Sequence, residues 1–173
     1  MLDLNAINRV APYSVEWRDG DENAILFHIK SGDYYVVSFV RDNGLLNGLS
    51  AYQLSFYPHS QKVSYDKDIS ATIWHIIDNF LTLNTTAIIY ITDDTDKRGA
   101  ARSRLFESWY HASDPALSQK YILKTIQQRA GVLINKNNPL LSKYLSMIES
   151  IDAILLPIKI YKKSLNFFVV GRF

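Results

Sequence analysis

The sequence contains no cysteine, which excludes disulfide bonds, thiolate zinc sites and cysteine nucleophiles. Only 7 glycines and 5 prolines occur among 173 residues, and 47% of the residues are hydrophobic. This composition is globular and excludes a chain that is disordered throughout. The sequence has no run of roughly 18 apolar residues and no basic segment leading into an apolar run near its start. We therefore expect a cytoplasmic protein with no membrane partner.

Neither sign of charge is in clear excess. The 19 basic and 17 acidic side chains leave a formal net charge of +2. This balance is too even for bulk attraction to nucleic acid or to a membrane, so such binding would need a local patch. The length favours a single domain over residues 1–173 with its own core.

Known catalytic motifs are also lacking. The sequence has no HExxH, GxSxG, GxGxxG or Walker pattern, so zinc peptidase, α/β-hydrolase, Rossmann and P-loop functions have no support. His75 and His111 each precede an aspartate by three residues, a spacing more typical of surface polar contacts than of a catalytic pair. We assign no catalytic residue and favour a binding function over an enzymatic one.

The first third of the chain has short runs of β-forming residues separated by turn dipeptides. The runs cover residues 13–18, 24–29, 34–40 and 52–57, and Asp19-Gly20 and Ser31-Gly32 separate the first three. This is the pattern of an antiparallel meander. In the first run the alternation predicts that Tyr13, Val15 and Trp17 form the buried face.

The apolar period then changes from two residues to that of a helix. After Asp66 and Asp68, either of which can cap a helix, the apolar positions are Ile69, Ile73, Ile76, Ile77 and Phe80, which lie on one helical face. Residues 87–91 (AIIYI) predict a buried strand. A second helix should begin near Thr95 or Asp96, with an inner stripe of Ala101, Leu105, Trp109 and Ala112.

The last third of the chain is less uniform in its signals. Residues 115–130 fit a helix or a strand, and we favour a hairpin with Val132 to Ile134 as its second arm. Asn138-Pro139 should start a helix with Leu141, Tyr144, Leu145 and Ile148 inward. Residues 154–161 and 165–170 predict a C-terminal β-hairpin. The predicted fold is α+β, with an N-terminal antiparallel meander and a sheet of five or more strands against about three helices.

The segment from Thr92 to Phe106 is the main candidate for function. Asp93, Asp94 and Asp96 directly follow a predicted buried strand, where their carboxylates could converge on a magnesium ion. Aspartate and threonine are also the residue types that cap a helix, and capping accounts for Thr95 and Asp96 without any ligand. The metal site is therefore the weaker of the two interpretations, and no cofactor is expected.

Basic residues follow these carboxylates. Arg98 and Arg102 are spaced i, i+4 and could hold an anion between their guanidinium groups, whether a phosphate or an internal carboxylate such as Asp94 or Glu107. At 100° per residue, Arg104 lies about 160° around the helix from Arg102, so the arginines do not all share one face. The tyrosines along the meander, Tyr34, Tyr35, Tyr52, Tyr57 and Tyr65, offer a further surface on which bases could stack.

The order of these motifs resembles an uncharacterised family of small bacterial α+β proteins. The resemblance rests on the helix DKDISATIWHIIDNFL and the segment AIIYITDDTDKRGAARSRLFESWY, which contain the family's strand, Asp-rich turn and RxRLF-like helix. It covers about residues 12 to 150. The resemblance implies a bacterial intracellular protein with a domain of unknown function, and it implies no catalytic residue.

Three functional hypotheses follow from these features. The first is an interaction or regulatory module that binds a protein or an anionic partner through residues 93–104. The second is a magnesium-dependent enzyme for a phosphate-containing substrate, with Asp93, Asp94 and Asp96 as metal ligands. The third is a nucleic-acid-binding protein that uses the arginines and exposed tyrosines. A homo-oligomer is compatible with each of them.

Overall fold

The structure, a computed structural model, describes residues 2–60, 66–94, 96–113, 117–123 and 130–155. Within these ranges it contains four helices and seven strands. In chain order they are α1 Leu4–Asn8, β1 Val15–Arg18, β2 Asp21–His28, β3 Tyr34–Asp42, β4 Ala51–Pro58, α2 Lys67–Leu83, β5 Ala87–Ile91, α3 Gly99–Ala112, β6 Ser118–Leu123, β7 Ala130–Asn135 and α4 Leu141–Leu155.

All seven strands form one sheet in the order β1-β2-β3-β4-β5-β7-β6. Neighbouring strands are antiparallel except β4 and β5, which are parallel. A parallel pair needs a long crossover connection, and α2 provides it. The predicted α+β class, the N-terminal meander and a sheet of five or more strands are confirmed, but the sheet is mixed and not purely antiparallel.

The meander forms as predicted at its turns and differs at one buried position. Gly20 and Gly32 adopt the positive φ values of 75° and 85° that these turns require. Tyr13 and Val15 are buried, whereas Trp17 is 40% exposed. The prediction for Trp17 is wrong. Alternation shows which side chains share a face of the strand, but it does not show whether a helix covers that face along its whole length. Trp17 stands at the end of an edge strand, beside the β1–β2 turn.

Helix α2 confirms the clearest sequence pattern. Asp66 is its N-cap and accepts a hydrogen bond from the Asp68 amide at 2.9 Å. The five predicted inner residues, Ile69, Ile73, Ile76, Ile77 and Phe80, are all buried. Five apolar side chains on one stripe bury enough apolar surface to hold the helix on the sheet.

The sheet separates two hydrophobic clusters. Helices α1, α2 and α3 pack on one face, where β5 contributes Ile88 and Tyr90. Helix α4 packs on the other face, where Tyr144 and Ile148 meet Ile89 of the same strand. Strand β5 is therefore buried on both faces, as its continuous apolar run predicts.

The later elements confirm one expectation and correct two. The hairpin of β6 and β7 is confirmed, with β7 extending over Ala130–Asn135. Helix α3 begins at Gly99 and buries Gly99, Arg102, Phe106 and Trp109, so Ala101 and Ala112 of the predicted stripe are exposed. Helix α4 continues through Leu155, so the start of the predicted C-terminal strand is helical. The rest of that predicted hairpin lies outside the described residues.

Candidate functional site

The candidate site lies where β5 ends and the chain crosses to α3. Thr92 and Asp93 continue β5 into the interior and are buried, with exposures of 1% and 7%. The chain then turns outward, since Asp94 and Asp96 are exposed, and it returns at the buried Gly99. The site therefore joins the buried centre of the sheet to an exposed loop.

Arg102 is the buried centre of this segment. Its side chain is 3% exposed and faces inward from the first turn of α3. Nη1 and Nη2 donate to the two carboxylate oxygens of Asp96 at 2.6 and 2.7 Å, and Nη1 also donates to the Asp93 carbonyl at 2.8 Å. This two-pronged geometry is the strongest form of an arginine–carboxylate pair. We name the three residues Asp93, Asp96 and Arg102 the loop clamp.

The electrostatics of the loop clamp follow from this geometry. The hydrogen bonds from Arg102 lower the pKa of Asp96 to about 2, and the Arg98 amide, which donates to Asp96 Oδ1 at 3.1 Å, acts in the same direction. The hydrogen bond with Asp96 also raises the pKa of Arg102, against the effect of burial. Both groups are charged at neutral pH. The internal partner of Arg102 is thus Asp96 and not Asp94 or Glu107.

Asp94 caps the start of α3. Its Oδ1 accepts a hydrogen bond from the Gly99 amide at 2.9 Å, which satisfies one of the unpaired amides of the first turn. A Cβ at position 99 would lie 2.7 Å from that same oxygen, so only glycine allows Asp94 to approach so closely. Asp94 therefore caps the helix start in addition to Asp96, which accepts the Arg98 amide; Thr95 lies outside the described residues.

In this structure the carboxylates of Asp93, Asp94 and Asp96 are not grouped around one point. No group of three or more acidic or imidazole side chains that could hold a metal ion occurs within the described ranges. Asp94 and Asp96 use their carboxylates for the Gly99 amide and for Arg102. A magnesium ion at this loop would have to compete with both contacts.

The remaining arginines lie on the outside of the segment. Arg98 is the N-cap residue of α3 and is exposed, and Arg104 is exposed on the helix surface. The angular offset predicted between Arg102 and Arg104 accounts for this arrangement, because an inward Arg102 directs Arg104 outward. Arg98 and Arg102 do not present a shared fork, since one is exposed and the other is buried.

Sequence reasoning overlooked Lys97, the exposed residue between Asp96 and Arg98. It has φ of 63° and is the only non-glycine residue with positive φ in the described part of the chain. Its amide donates to the Asp94 carbonyl at 3.0 Å and so closes a tight turn. The nearest glycine to this turn is Gly99, two positions later, so the sequence carried no signal for a left-handed residue at Lys97.

The tyrosines of the meander do not form one surface. Tyr35 is 2% exposed and belongs to the helix-covered face. Tyr34, its neighbour on β3, points to the opposite face, where its hydroxyl bonds with His59 Nδ1 at 2.8 Å and its ring stacks on the imidazole. Tyr65 lies outside the described residues. Only some of the expected tyrosines could therefore belong to one aromatic surface of the kind that sheet-based RNA binders use.

Two further findings concern the length of the helices and the similarity of the chain to known proteins. No helix in the described ranges has the length and apolar character needed to cross a bilayer. No curated protein and no solved structure matches the chain significantly.

A family model does match, over residues 65–150, from just before α2 into α4. The matched part contains the strand, the Asp-rich turn and the RxRLF helix on which the resemblance depends, and it starts later than residue 12. The resemblance is thereby confirmed over residues 65–150, which match the model of DUF6169, a family of unknown function.

Proposed function

We propose that this protein is a small interaction module that binds an acidic segment of a partner protein through the basic side chains around the start of α3. The observation that supports this most directly is the burial of Arg102 in the loop clamp. Its charge is used inside the protein to hold the loop, while Lys97 and Arg98 on the loop and Arg104 on the outer side of α3 are exposed. We name these three residues the basic rim.

The loop clamp gives the basic rim a defined shape. A left-handed backbone at Lys97 costs roughly 1–2 kcal/mol, and such a conformation persists only when its surroundings hold it. Arg102 ties the two ends of the turn together, at the Asp93 carbonyl and the Asp96 carboxylate. In this proposal Arg102 is a positioning residue, and Arg98 and Arg104 make the contacts.

The charges around the rim favour a peptide carboxylate over a nucleic-acid backbone. Asp94 and Asp96 are exposed within the same loop, and they would repel a continuous row of phosphates that crossed it. Separate carboxylates on a peptide can meet individual arginines and avoid those aspartates. The magnesium-dependent enzyme has less support, because Asp94 and Asp96 already accept hydrogen bonds from the protein.

The test is a fluorescence anisotropy titration with a labelled oligoglutamate peptide and, in parallel, a labelled single-stranded oligonucleotide. The variant is Arg98→Gln/Arg104→Gln. The control, Arg9→Gln/Lys143→Gln, removes two exposed charges from α1 and α4. We expect the variant to bind the peptide about three- to tenfold more weakly and with a smaller salt dependence. The control should bind as the unmodified protein does.

Two outcomes would overturn the proposal. Peptide affinity that is equal in the variant and the control would remove the arginines from the interface. An oligonucleotide that binds much more tightly than the peptide would replace the protein partner with nucleic acid.

A further inference from the structure

A concave feature lies at the edge of the sheet opposite the loop clamp. A cavity of about 880 Å³ opens between the β1–β2 turn, the start of β4 and the last turns of α2. Strands β4 and β5 run parallel, with Ala51 beside Ala87 at their first residues. The cavity is therefore at the edge where these strands begin, and the loop clamp is at the edge where β5 ends.

Aromatic rings form the walls of this cavity. Phe39 and Phe80 stack at a centroid distance of 4.0 Å, and Tyr52 meets Phe80 edge-on at 5.1 Å. Trp17 contributes a fourth ring and is 40% exposed. Phe39 and Phe80 are buried in the core, whereas Trp17 is partly exposed to solvent.

Carboxylates form the rim on one side. Asp19, Asp21 and Glu22 come from the β1–β2 turn and border the aromatic walls. Asp21 Oδ1 accepts the Asn23 amide at 3.0 Å, which fixes that carboxylate at the turn. Asp19 and Glu22 have no cationic partner among the described residues. The rim therefore carries negative charge that no salt bridge within the described ranges neutralises.

Arg18 also borders the cavity, but its guanidinium is directed elsewhere. Nη1 donates to the Tyr57 hydroxyl at 3.3 Å. Tyr57 alternates along β4 with Phe56, which belongs to the helix-covered cluster, so Tyr57 lies on the opposite face of the sheet. The positive charge of Arg18 is thus held away from the aromatic walls, and the cavity keeps its acidic character.

We propose that this cavity binds a small organic cation that joins an ammonium group to an apolar or aromatic body. Faces of tryptophan and tyrosine attract cations through the ring quadrupole, and the carboxylates of Asp19 and Asp21 add direct charge pairing. The volume is within the range of pockets that hold small ligands. This site is separate from the basic rim and selects the opposite charge.

The experiment compares three probes of similar size and different charge: 2-phenylethylammonium, 2-phenylethanol and 3-phenylpropanoate. Binding to the full chain is followed by calorimetry and by the indole N–H resonance of Trp17, assigned with Trp17→Phe. We expect the ammonium probe to bind about tenfold more tightly than the alcohol, and the carboxylate probe to bind most weakly. The Trp17 resonance should shift on binding, while those of Trp74 and Trp109 should not.

Substitutions then separate the charge from the fold. Asp19→Asn/Asp21→Asn should bring the affinity for the ammonium probe close to that for the alcohol. The control Glu16→Gln/Glu149→Gln removes two exposed carboxylates that do not line the cavity and should leave both affinities unchanged. Unaltered Trp resonances in the free variants would show that each one folds.

Equal affinity for the ammonium probe and the alcohol in the unmodified protein would overturn the proposal, because the cavity would then be selective only for apolar bodies. Tighter binding of 3-phenylpropanoate would do the same. A lysine-rich peptide that binds at the Trp17 resonance while the ammonium probe does not would replace the small cation with a protein partner.

Discussion

Asp96→Asn and Arg102→Met each remove one partner of the loop clamp, and we expect them to destabilise the protein by different amounts. Arg102 has a side chain that is 3% exposed, whereas that of Asp96 is 44% exposed. In Asp96→Asn the buried guanidinium loses its paired carboxylate, keeps only the electrostatic attraction of Asp93 and Asp94, and cannot be rehydrated without opening the loop. In Arg102→Met, by contrast, the half-exposed carboxylate can be solvated where it stands. The two substitutions therefore break one contact with different consequences.

The loss of stability in Asp96→Asn depends on which hydrogen bonds the buried Arg102 guanidinium keeps. Removing one partner of a fully buried ion pair costs about 3–5 kcal/mol. Here the Asp93 carbonyl still accepts one bond from Arg102, so we expect Asp96→Asn to lower the free energy of unfolding by less than the loss of a fully buried pair would. Adding Arg102→Met to Asp96→Asn removes the buried charge and keeps an aliphatic stem, and it should recover at least half of that loss.

Urea denaturation of the two single variants and the double variant measures these differences. A loss below about 0.5 kcal/mol for Asp96→Asn, or a double variant less stable than Asp96→Asn, would refute the reasoning. The pH dependence provides a second check. The folded pKa of Asp96 is lowered from 3.8 to about 2, so its stabilisation is complete above pH 4 and is lost as the pH falls towards 2. The Asp96→Asn variant should lack this component of acid destabilisation.

Three further predictions concern the core. Ile73→Ala should cost about 2–5 kcal/mol because Ile73 is fully buried, whereas Val10→Ala, at a residue 61% exposed, should change the urea midpoint little. Gly131→Ala would place a Cβ 2.6 Å from Tyr90 Cζ on the neighbouring strand, and calorimetry should show a loss of about 1–3 kcal/mol; an unchanged melting temperature would contradict the packing. Burial raises the pKa of Asp78, with His75 opposing the shift. The protein should therefore lose stability as the pH rises from 3.8, the ordinary value, to that raised pKa. Asp78→Asn should melt higher than the unmodified protein at pH 7, and by a smaller margin at pH 4.

The sequence alone predicted the elements whose signal is local. Helix α2 shows its buried face as an apolar residue every three or four positions, and that stripe is set by helical geometry whatever it packs against. The turns at Gly20 and Gly32 are equally local, because their backbone conformation depends on the residue itself. For the same reason the order of strand, Asp-rich turn and basic helix could be recognised, and with it the family.

The tertiary structure decided which side chains of α3 face inward. The apolar residues of that helix suggested a stripe through Ala101 and Leu105, yet the inner position of the first turn is occupied by Arg102. A charged residue can be buried only where another part of the chain supplies its acceptors, here Asp96 and the Asp93 carbonyl. The conformation of the loop brings those acceptors to Arg102, so the spacing of residues along the sequence does not predict them.

The cavity is the clearest case of a feature beyond the reach of sequence. Trp17, Tyr52 and Phe80 belong to β1, β4 and α2, which are far apart along the chain, and each fits an ordinary buried position by its local pattern. The parallel pairing of β4 with β5 and the path of α2 bring them together at one edge of the sheet. The local sequence determined which residues are apolar, and the order of the strands determined which of these residues line the cavity.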